Sequence, residues 1–182
     1  MLVVNLFGAP SSGKSTIASG LFEKLKIYGL RCEISMEYAK RLIRHDREKE
    51  LLNQSYVTNK QYHKLFMMKL AGDVDVVITD APIPIGLAYA PADCGRWYED
   101  MVWYFYNQND NVNYFINRGN SEYKEDGRQQ SELEAELVGQ KMKDILRFHD
   151  IKWTDFNREP DASAKIMAHL IGTGELDKYM EK

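Results

Sequence analysis

Short apolar runs alternate along this chain with longer segments whose apolar residues return every three or four positions. "LVVNLF" (2–7) is almost unbroken in apolarity and stops at Gly8, the pattern of a buried strand. "STIASGLFEKLKIYG" (15–29) sets Ile17, Leu21, Leu25 and Tyr28 at helical spacing and stops at Gly29. "RCEISM" (31–36) alternates like a strand, and "EYAKRLIRHDREKELL" (37–52) predicts one helix. Thr58 offers a cap for a further helix through "KQYHKLFMMKL" (60–70). "VDVVITD" (74–80), rich in β-branched residues, closes on Asp80 as the clearest strand.

After a Pro-containing stretch the alternation continues with an aromatic helix (96–108), a strand (111–117), a long helix (131–149), a strand (152–157) and a last helix (161–172) capped by Asp161 or Ser163. Repeated β/α alternation predicts an α/β fold, a parallel sheet with helices on both faces. No repeat, low-complexity tract or Pro/Gly/Ser-rich linker divides the chain, so a single domain over 1–182 is expected.

Charge sharpens this picture by exclusion. Charged residues make up 28% of the chain and the formal net charge is −3, which is no footprint of a general polyanion binder. Cys32 and Cys94 lie far apart without metal-type spacing, as in an intracellular protein with reduced thiols. His45, His63, His149 and His169 show no metal-ligand spacing either. The apolar start is too short for a membrane span and lacks a basic leader. A cytoplasmic protein with no membrane association is the expectation, and a homo-oligomer is compatible with it.

The chemistry begins at Gly8-Ala9-Pro10-Ser11-Ser12-Gly13-Lys14-Ser15, followed by Thr16, which fits G-x-x-x-x-G-K-[ST] without exception. Gly8 and Gly13 let the backbone turn its N–H groups inward as a nest for phosphate oxygens. The helix N-terminus adds favourable dipole charge, Lys14 supplies a cation for the outer phosphates, and the Ser15 hydroxyl is placed to ligate Mg2+. Chance supplies about one such match per hundred chains of this length. Here the motif also sits between a predicted strand and helix, as its mechanism requires.

Asp80, at the end of a second buried strand, is placed to hold a water on magnesium or to orient an attacking hydroxyl. A guanine-specific switch would need an Asn-Lys-x-Asp reader; the nearest string, "NKQY" (59–62), lacks the aspartate and comes too early. A work-performing ATPase usually needs a larger core and extra sensor elements. A kinase needs an acceptor carboxylate and a cationic cover, and candidates for both are present. Glu37 follows the second strand, so it lies on the same rim as the cradle, where it can take the acceptor's proton or bind its sugar hydroxyls. Arg41 and Arg44, one and two turns on, are candidates to clamp an acceptor phosphate. The polar stretch 117–132 reads as a lid whose cations, Arg118, Lys124 and Arg128, can shield the transferring phosphoryl group. Rings of the aromatic helix, Trp97 to Tyr106, serve mainly as packing, with stacking on a planar acceptor open to some of them.

"GAPSSGKST", "EYAKRL" after the second strand, "VVITDAP" and Asp126-Gly127-Arg128 before a long helix together resemble a P-loop kinase family. Its members are the NadR-type nicotinamide riboside kinase domains and the AAA-like ATPase/kinase domains common in bacteriophage genomes. The resemblance implies a three-layer αβα P-loop NTPase fold with a five-stranded parallel sheet in the order 2-3-1-4-5, and ATP with Mg2+ as cofactors. It implies phosphoryl transfer to a hydroxyl of a nucleoside-, nucleotide- or nicotinamide riboside-like acceptor. The related phage kinases of hydroxymethyl-deoxyuridine in DNA give modified DNA as the alternative substrate, for which Lys40, Arg41, Arg44 and the lid would form a basic rim. The cradle is also similar to that of adenylate kinases, but Ser12 and Ser15 depart from their pattern and no Thr-Gly-Asp follows the second strand. A nucleotide-binding regulatory ATPase without an acceptor is the competing class.

Overall fold

The computed structural model describes residues 1–91, 93–119 and 131–180. Five strands, β1 (Leu2–Phe7), β2 (Cys32–Ser35), β3 (Val76–Thr79), β4 (Asp110–Asn117) and β5 (Thr154–Asn157), form one sheet in the order β2-β3-β1-β4-β5. Every pairing is parallel, with Leu2 beside Val76 and Asp110, and Cys32 beside Val76. The sheet order implied by the family resemblance is the one observed.

Period-two geometry sends alternate residues of β1 to opposite faces. Leu2, Val4 and Leu6 join Ile78, Tyr114 and Ile116 under α1 (Lys14–Ile27) and α7 (Ala162–Gly172). On the other face Val77 packs with Leu65 of α3 (Gln54–Ala71) and with Tyr98, Val102 and Tyr106 of α5 (Arg96–Tyr106). Phe7 and Phe115 pack there against Met142 and Leu146 of α6 (Glu132–Phe148). Asn5, the polar residue inside the apolar run, is 2% exposed and donates to the side-chain oxygens of Asn111 and Asn113 on β4. Tyr106 donates to the same Asn113 oxygen, closing a buried polar ladder that satisfies these groups.

Helix ends follow local chemistry. Gly29 (φ 95°) stops α1: its N–H bonds Lys26 O, and Leu30 N–H bonds Leu25 O, the paired bonds of a Schellman turn. Ser131 and Glu134 make a reciprocal capping box on α6. Three expectations are corrected. The helix expected over 37–52 ends as α2 (Tyr38–Arg44), because Asp46 takes the left-handed conformation (φ 54°). Arg47 N–H then bonds Leu42 O, and a separate 3-10 turn follows at Glu48–Leu52. α3 starts earlier than expected, capped by Asn53, whose side chain accepts from Tyr56 N–H; Thr58 is instead buried against Tyr98. Asp161 is the N-cap residue of α7 without a side-chain capping bond. Two short helices, α4 (Ile85–Tyr89) after the prolines and α8 (Asp177–Met180), had no periodic signal.

Candidate active site

The loop between β1 and α1 is shaped by three residues with positive φ: Gly8 (142°), Ser11 (69°) and Gly13 (90°). A Cβ on Gly8 would stand 2.5 Å from Ile116 O and 2.7 Å from Ser12 Oγ, so only glycine lets the loop pass this close to β4. Lys14 opens α1 and folds back, its Nζ donating to Gly8 O at 2.7 Å and Ala9 O at 2.8 Å. Ser12 is fully buried, and its hydroxyl has no hydrogen-bond partner.

The tips of β1, β2 and β3 converge as the parallel sheet requires. Asp80, directly after β3, has a side chain with no exposed surface. One carboxylate oxygen accepts from the Ser15 hydroxyl; the other accepts from Glu37 N–H at 2.8 Å. Lys40 Nζ donates to Ser15 Oγ at 2.9 Å and lies 3.2 Å from Glu37 and 3.6 Å from Asp80. Ser15, Glu37, Lys40 and Asp80 are therefore one hydrogen-bonded group assembled from three elements. The hydroxyl of Ser15 and the carboxylate of Asp80, in direct contact, are the hard oxygen donors that suit magnesium. Among the described residues no cluster of three or more His, Cys, Asp or Glu forms a protein-only metal cage. Magnesium instead commonly combines one or two protein ligands with phosphate oxygens and water.

A cleft of about 610 Å³ runs from this group to α3 and α4. Pro10 to Thr16 and Arg158 line one end, Glu37 to Lys40 the middle. Ile43, Leu51, Val57 and Ile83 give the far end an apolar wall, interrupted by Thr58 and Gln61. Gln61 is 5% exposed; its amide nitrogen donates to the Ser35 and Thr79 hydroxyls, while its carbonyl oxygen has no partner. Gly86 allows α4 to close against Thr58 and Tyr98, whose hydroxyls share a 2.7 Å hydrogen bond.

Of the residues singled out in sequence, Pro10 to Thr16, Glu37 and Asp80 are brought together, with Gly8 and Ala9 behind the loop as acceptors for Lys14. Arg41 and Arg44 are exposed and do not line the cleft. Burial and then the Arg41 charge hold Lys64 below the usual lysine range, which puts Arg41 beside α3. Arg118 lies outside the lining and bonds Glu132 at 2.5 Å and Glu136 at 3.1 Å on α6. Lys124 and Arg128 fall outside the described residues.

Three residues were missed or undervalued. Arg158 packs its stem within 3.0–3.2 Å of the point where a Gly13 Cβ would sit and donates to Ser11 O at 3.3 Å. Its signal was positional: it directly follows β5, and ligand crevices lie at the carboxyl ends of parallel strands. Lys40 read as one charge of a basic rim, and Gln61 carried no signal beyond its place on a helix.

A family model described as "AAA domain" (AAA_28) matches residues 3–162. No curated protein matches the chain. Among solved structures, the thymidylate kinase from Ehrlichia chaffeensis is similar over 94% of this chain and 97% of its own, with a TM-score of 0.58 and 14% identity. At that identity the likeness speaks for the fold.

Proposed function

The chain belongs to the AAA_28 family of P-loop AAA domains, and on that premise we propose that it is a magnesium-dependent ATP phosphotransferase acting on the hydroxyl of a nucleoside-, nucleotide- or nicotinamide riboside-like acceptor. One observation carries this reading. Glu37 stands on the same rim as the phosphate cradle, and the cleft continues beyond it to a wall that includes Ile43, Leu51, Val57 and Ile83. A timer or motor needs no such extension.

The cradle N–H groups and Lys14 bind the phosphates, Lys14 exchanging its two loop carbonyls for phosphate oxygens. Ser15 and Asp80 would hold magnesium, which when bound neutralises charge on the outer phosphates. Asp80 is fully enclosed and committed through both oxygens, whereas the Glu37 side chain is 27% exposed and faces the cleft. Glu37 is thus the carboxylate that accepts the acceptor's proton. Arg158 covers the loop from above. Arg118 would reach the phosphoryl group only by leaving Glu132 and Glu136. Most of the acceleration would come from positioning and charge stabilisation.

The test is product analysis with γ-labelled ATP against nucleosides, nucleotides, nicotinamide riboside, plain DNA and hydroxymethyl-pyrimidine DNA. Label on a free nucleoside-like acceptor supports the proposal; label on modified DNA alone selects the DNA-kinase alternative. Brisk release of inorganic phosphate with every acceptor unlabelled overturns the kinase reading in favour of a regulatory ATPase.

A further inference from the structure

Lys40 is placed where a surface lysine has no reason to be. An ordinary i,i+3 pair with Glu37 would leave its ammonium in solvent, screened and of little consequence. Instead the Nζ reaches past Glu37 to Ser15 Oγ at 2.9 Å and comes within 3.6 Å of Asp80. The Asp80 side chain has no exposed surface, and a carboxylate so enclosed requires a counter-charge. Among the described residues, Lys40 supplies the ion pair that Asp80 makes.

Ser15 Oγ and the Asp80 carboxylate are also the two groups that, on the reading above, hold the divalent ion. An ammonium hydrogen-bonded to that hydroxyl and a dication ligated by it cannot share the space, since two cations at such distances repel strongly in a partly enclosed site. We propose that Lys40 is a built-in stand-in for the metal. Without nucleotide, its ammonium neutralises the Ser15–Asp80–Glu37 group and keeps divalent ions out. Arrival of a metal–nucleotide complex displaces it into the cleft it already lines. Lysine suits the task because its charge is compact and rides on a flexible stem; the planar fork of arginine would fit this exchange poorly. Metal and nucleotide would therefore bind together, each weakly alone. Lys40 is on this view a positioning residue acting through the metal site.

The inference rests on the proposed metal site, and the experiment separates the two. Mn2+ binding is followed by electron paramagnetic resonance in the parent protein and in Lys40→Met, with and without a non-hydrolysable ATP analogue. The Mg2+ concentration at the midpoint of analogue binding is measured by calorimetry, and circular dichroism checks folding. The expected result is tighter Mn2+ binding by nucleotide-free Lys40→Met, by about tenfold or more, and a lower Mg2+ midpoint, the size of effect typical of coupled sites. Lys40→Arg serves as a second variant and should not reproduce the gain. An unchanged Mg2+ midpoint together with unchanged Mn2+ binding in Lys40→Met overturns the stand-in. If neither protein binds Mn2+ even with the analogue, the metal site itself is wrong and the inference falls with it.

Discussion

Gly86→Ala is the sharpest structural test of the cleft. In a helix this change is ordinarily favourable by about 1 kcal/mol, because alanine has the better propensity. Here the added Cβ would lie 2.3 Å from Tyr98 Oη and 2.5 Å from Thr58 Oγ1. Tyr98 is 1% exposed and fixed in the core, and burial pushes its phenol up to about 12, so the hydroxyl stays protonated and hydrogen-bonded to Thr58. Overpacking costs about 1–3 kcal/mol, and losing the buried Thr58–Tyr98 bond about 1–3 kcal/mol more. Set against the propensity gain, the net loss is about 1–5 kcal/mol, or a fall of about 2–20 °C in Tm for a chain of this size.

The assay is thermal and urea unfolding of the parent, Gly86→Ala, and Gly86→Ala with Tyr98→Phe. Removing the hydroxyl leaves the nearest ring carbon at 3.5 Å from the new methyl, an ordinary contact, so the double variant should recover about half the loss. ATP-analogue binding at the cradle should persist in the folded single variant while acceptor use declines, because Gly86 lines the cleft on its far side. A single variant as stable as the parent, or more so, would refute the packing described for α4.

Glu37→Gln should suppress phosphoryl transfer by about 10²–10⁴-fold while ATP-analogue affinity measured by calorimetry stays within a factor of two or so; equal loss of both would remove its role as proton acceptor. Arg158→Ala should weaken analogue binding up to about tenfold by uncovering the loop, read in the same titration. Gln61→Leu should leave nucleotide binding intact but raise KM for whichever acceptor is found by about tenfold, since it replaces a polar residue of the cleft lining by an apolar one. Lys178 and Tyr179 hold the Asp110 carboxyl below its ordinary value near 3.8. A depressed carboxylate contributes stability above its unfolded pKa and loses it as pH falls through the folded one. Amide exchange in α8 should therefore accelerate below about pH 4, and Asp110→Asn should abolish that pH dependence.

The phosphate cradle was legible because its chemistry fixes residue types at fixed offsets, Gly8, Gly13, Lys14 and Ser15. The strands were legible because two-sided burial demands runs such as "VDVVITD". Asp80 and Glu37 followed from topology alone: each ends or follows a parallel strand, and such strands share one rim. What stayed hidden depends on side chains meeting across elements. The αL turn at Asp46 carries no glycine to announce it. Thr58 looks like a cap until Tyr98, forty residues later, claims its hydroxyl. Arg118 looks like a lid cation until the carboxylates of Glu132 and Glu136 on α6 draw it away.

The interruption at Asp46 has an effect beyond local geometry. Run straight, residues 37–52 would make a rod of about 24 Å, carrying Glu48, Leu51 and Leu52 off the edge of the sheet. Folded at one residue, the segment sets its first half, with Glu37 and Lys40, beside the loop that precedes α1, and its second half along the same cleft through Glu48, Leu51 and Leu52. On the proposed function, a new choice of acceptor needs changes only downstream of that bend, at Glu48, Leu51 and Leu52, with Glu37 and Lys40 upstream left as they stand.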